Sequence, residues 1–314
     1  MSILVTGGAG FIGSHLVERL LRDSREPVVV LDNFSDYYDP ERKRQNLAAL
    51  KHPQLTVVEG DICDPAVVDG LFERHTFSLV YHLAAYPGVP RSVQIPLVYE
   101  HVNIRGTLVL LEAARRFRPR QFVFASSSTV YGKDAPIPFL EDRLGPVPAS
   151  PYGATKRAAE LLCLLYHQLH GLSVLVVRPF NVYGARLRPD LGLYIFADCI
   201  WHEKPLPLFG DGSVRRDFTY IDDFIDGIVA AGHSAHSGTC INLGHNRPVE
   251  IRELIAMLER EFGKRAVIER RPPRPEDMPA TWADLTRAHE LLGYQPRVPL
   301  KEGLREFAKW FRTL

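Results

Sequence analysis

The stretch Thr6-Gly-Gly-Ala-Gly-Phe-Ile-Gly13 constrains this chain more than any other, because it follows the apolar run Ile3-Leu-Val5 directly. Gly7, Gly10 and Gly13 suit a strand that turns into a helix around a pyrophosphate. Their missing side chains permit the tight turn, close backbone approach to phosphate, and close helix–strand packing, with the helix N-terminus facing the anion. Glycine-rich turns are common, so the triplet alone is weak. Asp32 strengthens it, since it ends the second β-branched run about 20 residues later, where a carboxylate accepts hydrogen bonds from an adenosine ribose. A carboxylate there repels a 2′-phosphate, which favours NAD over NADP. Asp61-Ile62 is placed to meet the adenine edge, and Leu83-Ala84-Ala85 offers small side chains beside a dinucleotide. Phe11, Ile12 and Asn33 complete the expected cofactor-binding set.

Short apolar runs alternate with helical patterns through the first half, the mark of βαβ units. Strands are expected at Ile3–Val5, Val28–Leu31, Leu55–Glu59, Leu79–Leu83, Gln121–Ala125 and Ser173–Arg178, and helices at Ser14–Leu21, Val98–Phe117 and Tyr152–His170. The fold class is therefore α/β, a Rossmann-type doubly wound parallel sheet with a smaller C-terminal substrate-binding domain. After Arg178-Pro179 the texture changes to short segments punctuated by proline and glycine. Residues 1–180 are expected to bind NAD, with segments near 217–245 returning to that domain, and 181–314 to form mainly the substrate domain. A short strand near Thr239–Leu243 and helices at Glu250–Phe262, Thr286–Leu292 and Leu300–Arg312 follow.

Lys and Arg number 38 against 37 Asp and Glu, a net charge of +1, which supplies no bulk field for nucleic acid or an anionic membrane. Neither is an expected partner. Cys63, Cys163, Cys199 and Cys240 form no CxxC pair, so no zinc site, other metal site or disulfide framework is expected. The chain opens without a basic, apolar leader and contains no run long enough to span a bilayer, and the expected compartment is the cytoplasm.

Tyr152-Gly-Ala-Thr-Lys156 places a phenol and an ammonium on one face of a helix. A nearby cation favours phenolate, so the tyrosine can serve as a base near neutral pH, with Ser127 sharing the proton. In company with the glycine loop and Asp32, this pattern resembles the extended short-chain dehydrogenase/reductases, in the nucleotide-sugar epimerase and dehydratase branch. The resemblance spans Gly7 to Pro296. It implies that Tyr152 removes a sugar hydroxyl proton while hydride leaves the same carbon for NAD. Lys156 would bind the nicotinamide ribose and depress the tyrosine pKa, and Ser127 would assist at the hydroxyl.

Within that branch, 4,6-dehydratases carry an Asp-Glu pair before their Val-Tyr-Gly, and glucuronate decarboxylases a Glu. Here Ser128 and Thr129 stand there, which leaves epimerisation through a 4-keto sugar. The segments Asp32–Arg44 and Val182–Asp190 resemble the UDP-glucuronate 4-epimerase group, whose Arg-Pro-Asp motif carries a carboxylate-binding arginine; Arg188 occupies that position. A guanidinium fork grips a carboxylate bidentately and selects a uronic acid. Held by Ser128, Thr129 and Arg188, the β-keto acid intermediate would be kept from the alignment that releases CO₂. Asn181 departs from that group, which usually has Thr, and matches the neutral-hexose epimerases, so both sugars stay open. The resemblance also implies Arg216 and Arg274 on the UDP diphosphate, and a homodimer formed through Val98–Phe117 and Tyr152–His170. Asp222-Asp223 is read as capping a helix over Phe224–Ala231. The rival of another class is a silent NAD-responsive binding protein, against which the intact Ser127, Tyr152 and Lys156 argue.

Overall fold

The structure is a computed structural model and describes residues 1–273 and 278–314. Six strands, β1 (Ser2–Thr6), β2 (Val28–Asp32), β3 (Leu55–Glu59), β4 (Phe77–His82), β5 (Gln121–Ala125) and β6 (Val174–Pro179), alternate with helices. The helices are α1 (Phe11–Asp23), α2 (Pro40–Ala48), α3 (Pro65–Arg74), α4 (Val89–Gln94), α5 (Pro96–Tyr99), α6 (Thr107–Phe117) and α7 (Pro151–His170). The short strand Thr239–Leu243 pairs in parallel with β6, and a seven-stranded sheet results in the order Thr239–Leu243, β6, β5, β4, β1, β2, β3. β1 lies between β2 and β4, both parallel to it, so the strand order reverses there and opens a crevice at the carboxyl ends.

The inner strands read as apolar runs because helices cover both faces, whereas β3, at the edge, has no fully buried residue. β1 and β4 are buried at every residue. Successive residues of β1 feed opposite cores: Ile3 and Val5 join one that continues to Leu254, Phe307 and Phe311, and Leu4 joins another with Leu71 and Phe122. The C-terminal segments thus pack on one face of the sheet. Helix starts follow local chemistry. Asp39-Pro40, Asp64-Pro65 and Ser150-Pro151 each combine a side-chain N-cap with proline in the first turn.

Two expectations are corrected. Val98–Phe117 is not one helix, because α5 and α6 flank a π-helical stretch, Glu100–Gly106. The widened turn carries Asn103, which accepts from Tyr86 N (2.7 Å) and donates to Tyr86 O and Thr155 Oγ1 (both 3.1 Å). Asp222 and Asp223 do not cap their helix either. It runs Ile221–His233, its N-cap Tyr220 makes no side-chain cap bond, and the Asp223 carboxylate accepts from the N–H groups of Arg297 (2.9 Å) and Val298 (3.0 Å). Asp223 therefore fastens a C-terminal segment. Among the described residues no helix is long and apolar enough to cross a membrane.

Candidate active site

A cleft of ≈ 460 Å³ occupies the crevice at the carboxyl ends of the strands. Its walls include every cofactor residue expected from sequence, from the glycine loop through Asp32, Asn33, Asp61 and Ile62 to Leu83, Ala84 and Ala85. Ser127, Ser128, Thr129, Tyr152, Lys156, Asn181 and Arg188 line it as well.

The residues present fit a dinucleotide. Gly7 has φ +71°, and a β-carbon there would lie 2.6 Å from Ala84 N, so β1 and the loop after β4 meet only across glycine. A β-carbon at Gly13 would overlap the Gly7 carbonyl oxygen, whereas one at Gly10 would meet only Gly7 O, at 3.4 Å, and would stand at the cleft wall. The third glycine thus permits packing, and the second keeps the cradle open for phosphate. α1 has no acidic residue in its first turn, which leaves its positive end to an anion. Asp32 is held at the end of β2 by Ala9 N–H (3.0 Å) and Phe34 N–H (2.9 Å), with lone pairs left for ribose hydroxyls. Burial raises its pKa, and those two backbone bonds oppose the shift. Asn33 donates to Asp61 Oδ2 (3.2 Å), and Asp61 Oδ1 accepts from Cys63 N (2.8 Å), which ties the loops after β2 and β3 together at the cleft wall.

Beneath the cleft runs a chain of hydrogen bonds with a forced direction. Ala84 N–H donates to Thr6 Oγ1 (3.3 Å), and Thr6 Oγ1 pairs with His82 Nδ1 (2.8 Å). His82 Nε2 pairs with Thr107 Oγ1 (2.9 Å), which donates to Asn103 O (2.7 Å). Since the Thr107 proton is committed, His82 must carry its proton on Nε2, and Thr6 must donate to Nδ1. Burial, with the Lys156 charge, pushes the His82 pKa well down, so the ring stays neutral. Thr155 Oγ1 accepts from Asn103 and donates to Tyr152 O (3.0 Å), which connects this chain to α7.

Ser127 Oγ accepts from both the N–H (3.2 Å) and the hydroxyl (2.9 Å) of Thr129. Its own proton is therefore free to donate toward Tyr152, and the Thr129 proton is taken. Burial raises the Tyr152 pKa; the Arg188 charge opposes this most, then the Ser127 hydrogen bond. The phenol thus feels the charge of Arg188, from a loop 36 residues on, which the sequence-based reading did not connect with it. Lys156, 2% exposed, lines the cleft with Nζ 4.3 Å from the Phe124 ring centroid. Burial brings its pKa down to about 8.

One turn beyond Lys156, Glu160 forms a buried bidentate pair with Arg178 of β6, at 2.9 and 2.8 Å. Arg178 also donates to Tyr131 Oη (3.0 Å) and Glu141 O (2.9 Å), and Tyr131 donates to Asn242 Oδ1 (2.6 Å). α7 is thereby fastened to two strands of the sheet.

Arg216 is not brought to the cleft. It lies on the strand Arg215–Asp217, where Nη1 donates to Arg215 O (2.9 Å) and Met278 O (2.8 Å). Its neighbour Asp217, wholly buried, accepts from the N–H groups of His245, Asn246 and Ala283, while Asn181 donates to Asp217 O (2.9 Å). Arg274 lies outside the described residues. Sequence reasoning missed His82, Asn103 and Thr155, along with Tyr37 and Asp190, which flank Arg188. A histidine ending the buried strand β4 was the available signal for His82, and Asp190 stands two residues from Arg188; Asn103 and Tyr37 have partners far away in sequence.

Residues 3–244 match the NAD dependent epimerase/dehydratase family. The chain is 42% identical to the UDP-glucuronate 4-epimerase of Thermodesulfobacterium geofontis over 98% of its own length and 95% of that protein's. It is similar to the Bacillus cereus UDP-glucuronic acid 4-epimerase, solved with UDP-glucuronic acid and NAD, with TM-score 0.93 and 38% identity over 100% of this chain and 99% of that one. It is also similar to the Thermotoga maritima UDP-glucose 4-epimerase solved with UDP-glucose, with TM-score 0.92 and 33% identity over the same shares. With that fold and that cleft, the chain belongs to the NAD dependent epimerase/dehydratase family.

Proposed function

We propose that this protein is an NAD-dependent 4-epimerase of UDP-sugars that interconverts UDP-glucuronate and UDP-galacturonate. One observation carries the choice of sugar: Arg188 lines the same cleft as Ser127, Ser128, Thr129 and Tyr152 and is the charge that most favours the Tyr152 phenolate. The glycine loop, Asp32 and Lys156 would hold NAD, which would supply an acceptor for the C4 hydride and a donor for its return to the opposite face of the sugar. Tyr152 removes the O4 proton as C4 is oxidised and gives it back on reduction. Ser127, with its own proton free, hydrogen-bonds the phenolate or O4. Lys156 binds the nicotinamide ribose. Ser128 and Thr129 bring no third acid or base, in keeping with epimerisation rather than dehydration. Arg188 grips the carboxylate, and Arg216 and Arg274 are assigned to the diphosphate by resemblance.

The second reading is a neutral-hexose 4-epimerase, favoured by Asn181 in the cleft wall and by the likeness to the Thermotoga enzyme. Incubating purified protein, without added NAD, with UDP-glucuronate or UDP-glucose and resolving products by NMR separates the two. Conversion of UDP-glucose alone refutes the uronate reading, and no conversion of either supports a silent NAD-responsive protein. Denatured protein should release NAD or NADH near stoichiometrically, since the cofactor is regenerated within each turnover. The domain roles of 1–180 with 217–245, and of 181–314, belong to this proposal, as does a cytoplasmic role in carbohydrate metabolism. So does a homodimer, supported by Leu161, Leu165 and Leu169, exposed at one-turn spacing on α7, and by Leu97, 80% exposed on α5.

A further inference from the structure

We infer that Asp190 and Tyr37 are positioning residues for the substrate carboxylate: they hold the Arg188 guanidinium by one edge and leave the other edge to the uronate. This rests on the reading of Arg188 as the carboxylate-binding residue. A guanidinium has five coplanar N–H groups, enough for two bidentate forks on different edges. Asp190 takes the side-on fork, Nε–H to Oδ1 and Nη2–H to Oδ2, each at 3.0 Å. The end-on fork, from Nη1 and the second Nη2 proton, has no hydrogen-bond partner among the described residues. Arg188 lines the cleft and Asp190 does not, so the acid stands behind the arginine rather than in the ligand's place.

Tyr37 secures this arrangement twice. Its hydroxyl donates to Asp190 Oδ2 (3.0 Å), and its ring centroid lies 5.7 Å from Arg188 Cζ. Burial, then the Asp190 charge, holds the phenol above its ordinary pKa, so it remains a donor. Tyr37 is fixed in turn by Arg91, which donates to Tyr37 O (3.3 Å) and lies 5.1 Å over the ring. At Gly88 (φ +94°) any β-carbon would overlap the Tyr37 hydroxyl, so the loop after β4 is shaped around it. The loop after β2 and the segment carrying Arg188 therefore meet at Tyr37, which touches both partners of the fork.

Calorimetric titration of the NAD-bound enzyme with UDP-glucuronate and with UDP-glucose tests this. Asp190→Asn keeps the size but offers one acceptor where two are needed, and its Kd for UDP-glucuronate should rise about tenfold while that for UDP-glucose stays unchanged. Tyr37→Phe should move the uronate Kd the same way by about threefold, because one supporting bond is lost. A tighter uronate Kd in Asp190→Asn would make Asp190 a competitor of the substrate, and an unchanged one a bystander; either overturns the inference. Arg188→Ala separates the two levels. If it weakens UDP-glucuronate no more than UDP-glucose, the reading of Arg188 falls and the inference with it. If it weakens the uronate selectively while Asp190→Asn and Tyr37→Phe match wild type, the inference alone falls.

Discussion

Gly10→Ala separates cofactor binding from folding at the feature that first defines this chain. Gly10 has φ −71° and ψ 179°, a conformation alanine adopts freely, and its added β-carbon meets only Gly7 O at the ordinary contact distance of 3.4 Å. Two small effects on stability then oppose. Alanine restricts the unfolded chain, worth ~0.4–1 kcal/mol, and is a poorer N-cap than glycine by a comparable amount. The unfolding midpoint of cofactor-stripped protein should barely move. Binding responds differently, because the methyl stands in the cradle at the positive end of α1, and a phosphate displaced by it loses a charge-assisted hydrogen bond. At ~1.5–3 kcal/mol per such bond, NAD affinity should fall by roughly 10- to 100-fold. Gly13→Ala is the contrast: its β-carbon overlaps the Gly7 carbonyl, so helix and loop must part at ~1–3 kcal/mol of stability. The assay pairs calorimetric titration of NAD into stripped protein with thermal unfolding of the same samples. Wild-type NAD affinity in Gly10→Ala, or an unfolding midpoint as low as that of Gly13→Ala, would refute the division of roles.

Lys156 gives a pH-dependent prediction. Burial holds its folded-state pKa near 8, below the unfolded 10.5, so the penalty for burying its charge is complete below pH 8 and is relieved as pH rises from 8 to 10.5. Cofactor-stripped wild type should gain up to ~3 kcal/mol across that window relative to Lys156→Met, and at pH 7 the variant should be the more stable and inactive. Urea unfolding from pH 7 to 10 measures this, and identical pH profiles for the two proteins would exclude it. Glu160→Gln leaves the Arg178 charge buried without its partner and should cost ~3–5 kcal/mol. Adding Arg178→Met should recover much of that loss, and a single-variant loss below ~1 kcal/mol would show the pair to be dispensable.

Much of the site was legible because its chemistry is local. The glycine loop and Asp32 terminate adjacent strands, and in a parallel sheet the carboxyl ends of β1, β2, β4 and β5 must open on one crevice, so residues read as strand-ending are brought together by topology alone. The Tyr152–Lys156 spacing likewise puts both on one helix. Long-range partners were not legible. The π-helical turn at Glu100–Gly106 shifts its neighbours by one residue, which an apolar periodicity does not register, and Asp223 lies in a helix start where a carboxylate reads as a cap until Arg297 and Val298 are seen beside it.

By itself, then, the sequence determined the βαβ scaffold, the glycine-loop cradle and the Tyr152–Lys156 pair on one helix face, because each depends on residue type at short spacing. Only the tertiary structure decided which charge acts on which group. Tyr152 lies 36 residues from Arg188, yet that guanidinium bears on its phenol. Likewise the Arg188–Asp190 fork meets Tyr37, 153 residues before Asp190. Spacing specifies which side chains share a face, but the direction of a charge and the identity of its partner follow from how loops from distant strands pack.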